Sequence, residues 1–544
     1  MRPRFHPLFY SLLSALLLTL AWYWNLSLCA FFGFAPLLVL EEHFRREGKQ
    51  KRLLPYVYLS FFLWNVGVTW WVVYASFGGA LMAFIFNALF MALVFQFYSR
   101  LRSHFPTLHG AWLILPVWMT WEHLHTLWDL SWTWLTLGNA LASNHYWIQW
   151  FEITGTSGGT AWLLIVNVLV YQIVLKYQRL KLISMPILKL ALTIILPILF
   201  SLMVFFIRLN ERSKPEDHVN VMVVQPNIDP YNEKFYFDYQ TQFLKMLKLV
   251  RGSIDNSIDY LVLPETFITG GGIGINENEL NISEEIGWFR DSLIFKYPDL
   301  RIVAGGNTYI TYDQPRTATA RFDQRNKIYY DVFNTGILID RNSVAVYHKS
   351  KLVPGVERMP FPALFKPLEG LAIDMGGTIG SLGTQESRQV FMDTVQHTGV
   401  APVICYESVF ADYVTAYIRN GANLIFIITN DGWWDDTPGY HQHLQYAKLR
   451  AIENRREIAR SANTGISCFI DSFGNVSHQT EWWKEAVISK QLYKKNELTF
   501  FSDNGDLLSY MAMIFTMLLL MWLLLKSGPG RLLKFRGQSA AKKP

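Results

Sequence analysis

Cysteine is nearly absent from this chain: Cys29, Cys405 and Cys468 are the only three in 544 residues. That excludes a disulfide framework. Charge is scarce as well, at 17% of residues against 51% hydrophobic, which excludes an ordinary soluble protein of this size. No glycine-rich nucleotide loop of the GxGxxG or P-loop type occurs, so nucleotide binding is not suggested. Metal-ligand spacing is missing too. His441 and His443 stand two apart at the start of an expected helix, on different faces, and read as capping or packing groups.

What is present is long apolar stretches. A membrane span needs roughly 20 mostly apolar residues. Eight stretches qualify as candidates, at about 8–24, 26–41, 54–75, 79–98, 110–128, 159–176, 186–207 and 508–525. Basic residues fall in alternate connections. They are Arg2 and Arg4, then Arg45 to Arg52, then Arg100 and Arg102, then Lys176 to Lys181, and finally Lys526 to Lys543. The connection Ser76-Phe77-Gly78-Gly79 has none. With eight spans, every basic group lies on one side. Both termini are then cytoplasmic and the large polar domain is on the far side of the membrane. The net charge of +6 follows from that topology and calls for no nucleic-acid partner. The N-terminus also has the look of a signal peptide, but Leu28 is too bulky for the cleavage site that Cys29 would need. Cys29 reads as a packing residue. Four regions follow: 1–210, a bundle of seven spans; 215–500, an extramembrane domain; 505–526, the eighth span; and 527–544, a basic tail. The aromatic-rich stretch from Trp132 to Trp150 reads as an interfacial arm or a segment sealing the bundle.

Within 215–500, short apolar runs alternate with helical periodicity, which predicts an α/β layered domain with mixed sheets. Strands are expected at 219–225, 260–263, 301–305, 335–340, 344–347, 400–405, 424–429 and 465–471. Helices are expected at 239–251, 283–295 and 409–420, with a longer one over 441–461. Three polar residues stand at or near strand ends. Glu265 follows Leu261-Val262-Leu263-Pro264, Lys349 follows Tyr347-His348, and Cys405 ends Val400 to Ile404. As a group they are a base, a cation and a nucleophile. A carboxylate can take the thiol proton, and an ammonium can stabilise the oxyanion formed when a thiolate attacks a carbonyl. Each has a duller reading: Glu265 as a cap, Lys349 as a solvated lysine, Cys405 as a buried packing thiol.

Pro264-Glu265-Thr266, Tyr347-His348-Lys349-Ser350-Lys351-Leu352-Val353-Pro354 and Cys405-Tyr406-Glu407 resemble, in order and spacing, the Glu–Lys–Cys signature of the nitrilase (carbon–nitrogen hydrolase) superfamily. The likeness continues through Thr429-Asn430-Asp431-Gly432-Trp433-Trp434, His443, Arg450 to Arg455 and Ala462-Asn463-Thr464-Gly465. Together with Trp134 to Gly138, Gln149, Glu152, Thr154-Gly155 and Asn167, it extends to the membrane branch of that superfamily, the apolipoprotein N-acyltransferase family. The resemblance implies an α-β-β-α sandwich on a helical bundle. It implies Glu265 as general base, Cys405 as nucleophile and Lys349 as stabiliser of the tetrahedral intermediate. Tyr406 would supply an oxyanion N–H, with Glu357 orienting the lysine and Glu407 following the nucleophile. Phe235 stands where the family has a tryptophan, and Lys351 where it often has histidine. Phe235, Phe361, Leu364, Phe365 and Trp433 are candidate lipid contacts.

The reaction implied is transfer of an acyl chain from a membrane phospholipid, through a thioester on Cys405, to the α-amino group of a diacylglyceryl-cysteine. It needs no metal or organic cofactor, and the protein is expected to act as a monomer. A membrane-tethered amidase using water as acceptor would use the same triad. A degenerate scaffold is disfavoured by the intact Glu265, Lys349, Glu357 and Cys405. A transporter leaves the α/β domain unexplained.

Overall fold

The computed structural model describes residues 6–23, 26–180, 184–211, 217–231, 233, 238–270, 273–358 and 381–527. Phe235, Phe361, Leu364, Phe365 and the basic tail lie outside them. Among the described residues, five helices are long and apolar enough to cross a membrane: Ser27–Arg46, Phe77–Arg102, Phe151–Lys176, Met185–Asn210 and Leu507–Lys526. The other three expected stretches are helical but shorter. They are Pro7–Leu20, Leu54–Thr69 with a separate turn Val72–Ala75, and Ile114–His125 after the 3-10 run Leu108–Leu113. The helices Met185–Asn210 and Leu507–Lys526 leave most of their surface open, with Leu196, Leu199, Phe206, Leu518 and Leu525 all exposed. Exposed apolar area on that scale marks a lipid-facing surface.

Two sheets make the α/β half. The first contains β1 (His218–Gln225), β2 (Tyr260–Val262), β3 (Ile275–Asn276), β4 (Arg301–Tyr312), β5 (Arg321–Asp323), β6 (Ile328–Ile339), β7 (Val344–His348) and β14 (Ala486–Tyr493), in the order β14-β1-β2-β4-β6-β5. The second runs β13-β12-β11-β10-β9-β8, from β8 (Phe391–Asp393), β9 (Thr398–Ile404), β10 (Leu424–Thr429), β11 (Ile458–Ala462), β12 (Cys468–Ile470) and β13 (Val476–Ser477). Alternation along the strands explains the layering. Val221 and Val223 of β1, Tyr260 and Val262 of β2 and Val303 of β4 join the core between the sheets. Their neighbours Met222, Val224, Leu261, Ile302 and Ala304 face a second core with Phe243, Met246 and Phe289 from the outer helices. Tyr260 meets Phe426 of β10 edge-on across the sheet gap, ring centres 5.5 Å apart. The architecture is the expected α-β-β-α sandwich.

The helix Pro438–Asn454 forms one outer layer, packed between the second sheet and the bundle helix Phe151–Leu180. Almost every side chain along it is therefore buried. The sequence pattern predicts a helix continuing to Ser461. The chain instead leaves it at Arg455, in a left-handed conformation with φ 48°, and residues 458–462 are β11. Arg455 is held there by Glu152 at 2.5 Å and by Gln149 Oε1 at 2.7 Å, both from the bundle. Sheet, helix layer and bundle share one continuous apolar core. The last helix, Leu507–Ser527, returns to pack on Ile114–His125, with Thr120 Oγ1 donating to Thr516 Oγ1 at 3.2 Å.

Candidate active site

Glu265, Lys349 and Cys405 come together at the strand ends, lining one cavity. Glu265 follows β2 and enters through a backbone that needs room. A Cβ on Gly305 of β4 would lie 2.5 Å from Glu265 Cα, so only glycine lets β4 run this close. Lys349 follows β7, and its own N–H donates to Asn334 O on β6 at 2.8 Å. The Lys349 side chain is 1% exposed. Its ammonium donates to Glu265 Oε1 at 2.9 Å and to Glu357 Oε1 at 2.7 Å. Burial alone would favour the neutral amine, but the two carboxylates hold the Lys349 pKa well above its ordinary value. Asn334 Nδ2 donates to both carboxylates, at 2.8 Å to Glu265 and 3.3 Å to Glu357. The Val353 N–H donates to Glu357 Oε2 at 2.8 Å, and the Asn430 N–H to Glu265 Oε2 at 3.1 Å. Both carboxylates are thus fixed in place, with the ammonium between them.

Cys405 sits just past β9 with φ 48°. A non-glycine residue in the left-handed region is strained and persists only where its surroundings hold it. Two sets of bonds do so. Glu407, fully buried, accepts from the N–H groups of Ile404 at 2.9 Å and Ser350 at 2.8 Å and from Tyr347 and Tyr413 hydroxyls at 2.7 Å each. It ties the nucleophile turn to the loop carrying Lys349. On the opposite side the Cys405 carbonyl accepts from Ser408 Oγ at 2.7 Å and lies 3.1 Å from His443 Nε2. His443 Nδ1 lies 3.0 Å from Asp431 Oδ1, and Arg460 donates to Asp431 Oδ2 at 2.5 Å. Burial would raise the Asp431 pKa, but Arg460 and His443 hold it well below the usual carboxylate range.

His443 is therefore no mere capping or packing group: it braces the backbone of the candidate nucleophile. In the sequence, its inclusion in the family resemblance marks it, and its spacing from His441 does not. Burial pushes the Cys405 thiol well up, and the Glu265 charge adds to this while Lys349 opposes it. At rest the sulfur is a thiol, so attack on a carbonyl requires a base at the moment of reaction.

Asp431→Asn is expected to destabilise the protein by ~3–5 kcal/mol at neutral pH, because it leaves the Arg460 charge buried and unpaired. The folded pKa is depressed. Its stabilisation is therefore fully present above the unfolded carboxylate range, near pH 4, and lost as pH falls through the lower folded value. Thermal scans in detergent from pH 7 to pH 3 should show the wild type losing stability in acid and the variant losing less.

The cavity encloses about 1600 Å³ with its open mouth included. One wall is the α/β half: Glu265, Asn334, Lys349, Glu357, Cys405, Tyr406 and Trp433. The other is the bundle: Trp71, Val72, Ala75, Met82, Phe86 and Phe90. Trp433 is pinned by its carbonyl, which accepts from the Tyr231 hydroxyl at 2.9 Å. The stretch after Trp132 seals the joint between the halves. Trp132 stacks on Tyr406 at 6.0 Å, and Trp134 Nε1 donates to Gln442 Oε1 at 2.7 Å. Beyond sealing, Trp132 and Trp134 line the cavity itself. Lys351, in the position where the resembled family often has histidine, donates to Thr126 O at 2.7 Å at the end of a bundle helix. Desolvation brings its pKa down to about 8.

The sequence profile described as carbon-nitrogen hydrolase matches residues 220–495, and the one described as apolipoprotein N-acyltransferase N-terminal domain matches residues 14–169. Among curated relatives, the apolipoprotein N-acyltransferase of Chlorobaculum tepidum is 29% identical over 522 residues, covering 93% of this chain and 94% of that one. The enzyme of the same name from Haemophilus influenzae is 26% identical over 488 residues, covering 85% of each. Among solved structures, an amidase from Nesterenkonia sp. aligns with 55% of this chain and 97% of its own, at 17% identity and a TM-score of 0.35.

Proposed function

The chain belongs to the carbon–nitrogen hydrolase family, in its membrane-embedded apolipoprotein N-acyltransferase branch, and from that premise we propose how its acyl transfer runs. Cys405 is the nucleophile, Glu265 the base, and Lys349 with the Tyr406 N–H the oxyanion site. The acyl donor is a phospholipid. Glu265 takes the Cys405 proton as sulfur attacks the ester carbonyl. The tetrahedral oxygen gathers its negative charge toward the Lys349 ammonium, which is already fixed in place, so little reorganisation is needed. Collapse breaks the ester C–O bond, and the leaving glycerol oxygen takes the proton from Glu265. A lysophospholipid departs, leaving a thioester on Cys405. The α-amine of a diacylglyceryl-cysteine then attacks that carbonyl and passes a proton to Glu265. The C–S bond breaks, and sulfur recovers the proton. The enzyme cycles through two half-reactions. It acts as a monomer, with both termini cytoplasmic and the cavity on the periplasmic side.

One observation carries this reading over a soluble-amide hydrolase: the wall facing Cys405 is built from apolar helices of the bundle, Val72, Ala75, Met82 and Phe86 among them. A water-soluble amide has no use for that wall, whereas an acyl chain does. Intact-protein mass spectrometry tests it. Purified protein given phospholipid alone is expected to gain one acyl mass on Cys405, labile to hydroxylamine. The adduct should vanish on addition of a diacylglyceryl lipopeptide and persist in water. Rapid loss to water with no transfer would establish the hydrolase instead.

A further inference from the structure

In the bundle wall of the cavity, the helix containing Phe77–Arg102 is interrupted by a π-helical turn at Ala83–Asn87. Such turns inside long helices often mark functional sites. Asn87 closes the turn, lines the cavity that holds Cys405, and is only 3% exposed. Which way its amide points is set by neighbours. Asn65 Nδ2 donates to Phe61 O at 2.8 Å, leaving Asn65 Oδ1 as an acceptor, and Asn87 Nδ2 donates to that oxygen at 2.8 Å. The Asn87 amide is therefore locked with nitrogen inward and Oδ1 left over. That oxygen has no hydrogen-bond partner among the described residues. A buried acceptor left unpaired is uncommon and calls for a reason. A polar side chain within an apolar span is costly unless used.

We propose that Asn87 is a specificity residue whose Oδ1 accepts a hydrogen bond from an N–H or O–H group of a lipid substrate seated at Cys405. The inference rests on the acyl-transfer reading above. Two sources carry that chemistry: the head group of the donor phospholipid, and the amine or first peptide N–H of the acceptor. The acyl chain carries no such donor, so Asn87 reads the polar part of a lipid while Met82, Phe86 and Phe90 contact its apolar part.

The test separates the half-reactions in full-length protein. Thioester formation is followed by mass spectrometry with phosphatidylethanolamine, phosphatidylglycerol or phosphatidylcholine, the last having no N–H or O–H. Transfer to a synthetic diacylglyceryl lipopeptide follows. Wild type is compared with Asn87→Leu and with Asn65→Leu/Asn87→Leu, which leaves neither amide unpaired. If the donor lipid is the partner, thioester formation from the first two lipids slows about five- to tenfold and that from phosphatidylcholine does not. If the acceptor is the partner, only the transfer step slows, by the same factor with every donor. In either case the double variant melts no lower than wild type, so the lost rate is not a lost fold. Unchanged rates in both steps, a uniform loss of thioester formation across all three lipids, or a loss accompanied by a lower melting point in the double variant would overturn the inference. If wild type forms no thioester, the acyl-transfer reading has failed. If it does and the variants match it, only the role of Asn87 has failed.

Discussion

Cys405→Ala is expected to lower acyl transfer by on the order of 10⁴-fold or more and to leave no acyl mass on the protein after exposure to phospholipid. The methyl group cannot form a thioester, and no other thiol is available to take its place. Cys29 sits in the bundle start, and Cys468 is buried in β12. The fold should survive. The Glu407 and His443 bonds that hold the turn involve backbone groups of residues 404 and 405, not the sulfur. The variant should therefore melt within about 1 kcal/mol of wild type. Cys405→Ser keeps the geometry but offers a far weaker acid for Glu265 to deprotonate. It should be inactive or should stall as an oxygen ester stable to neutral hydroxylamine. A hydroxylamine-labile adduct in Cys405→Ala would refute the assignment outright.

Lys349→Met is expected to act on rate and stability together, unlike Cys405→Ala. It removes the cation proposed for the oxyanion site, a loss of about 10²–10³-fold in turnover if Lys349 serves as one preorganised donor. It also leaves two carboxylates facing each other with only Asn334 Nδ2 between them. Breaking a buried ion pair from one side costs ~3–5 kcal/mol. Lys349→Met/Glu357→Gln removes one of the stranded charges and should recover part of the melting temperature but none of the rate. If the double variant recovers activity along with stability, Lys349 is holding the fold and not the oxyanion. Thermal melts and lipopeptide acylation on the same preparations decide between these.

Glu265, Lys349 and Cys405 each end or follow a short apolar run, which made them candidates but left their duller readings open; the resemblance to the Glu–Lys–Cys signature is what singled them out. Short apolar runs such as 260–262, 400–404 and 424–429, buried along their whole length, made an α/β layered domain legible, while its form as a sandwich came from the family resemblance. Other parts left no such mark. The helix Pro438–Asn454 is packed between sheet and bundle along most of its length, so most of its polar residues face internal partners and its apparent period runs past its true end into β11. His443 acts through the backbone of a residue 38 positions away, a contact no spacing rule describes. Asn87 is one amide in an apolar stretch, and only the Asn65 hydrogen bond reveals which way it faces. Three of the eight expected spans are helices too short or too broken to meet a simple length criterion, because hydropathy windows cannot see where a helix turns.

The last helix has a consequence for how the molecule is made. Leu507–Ser527 completes the bundle by packing on Ile114–His125, yet it is translated only after the whole α/β half. Chains fold as they emerge, earlier segments first. The membrane half must therefore wait, one wall short, while some 290 residues of sandwich are synthesised and take shape. During that interval the face of Ile114–His125 that will receive Thr516 has no protein neighbour there. Biogenesis thus makes the membrane half depend on the extramembrane half, and a ribosome that stalls within the sandwich leaves an unfinished bundle rather than a smaller finished one.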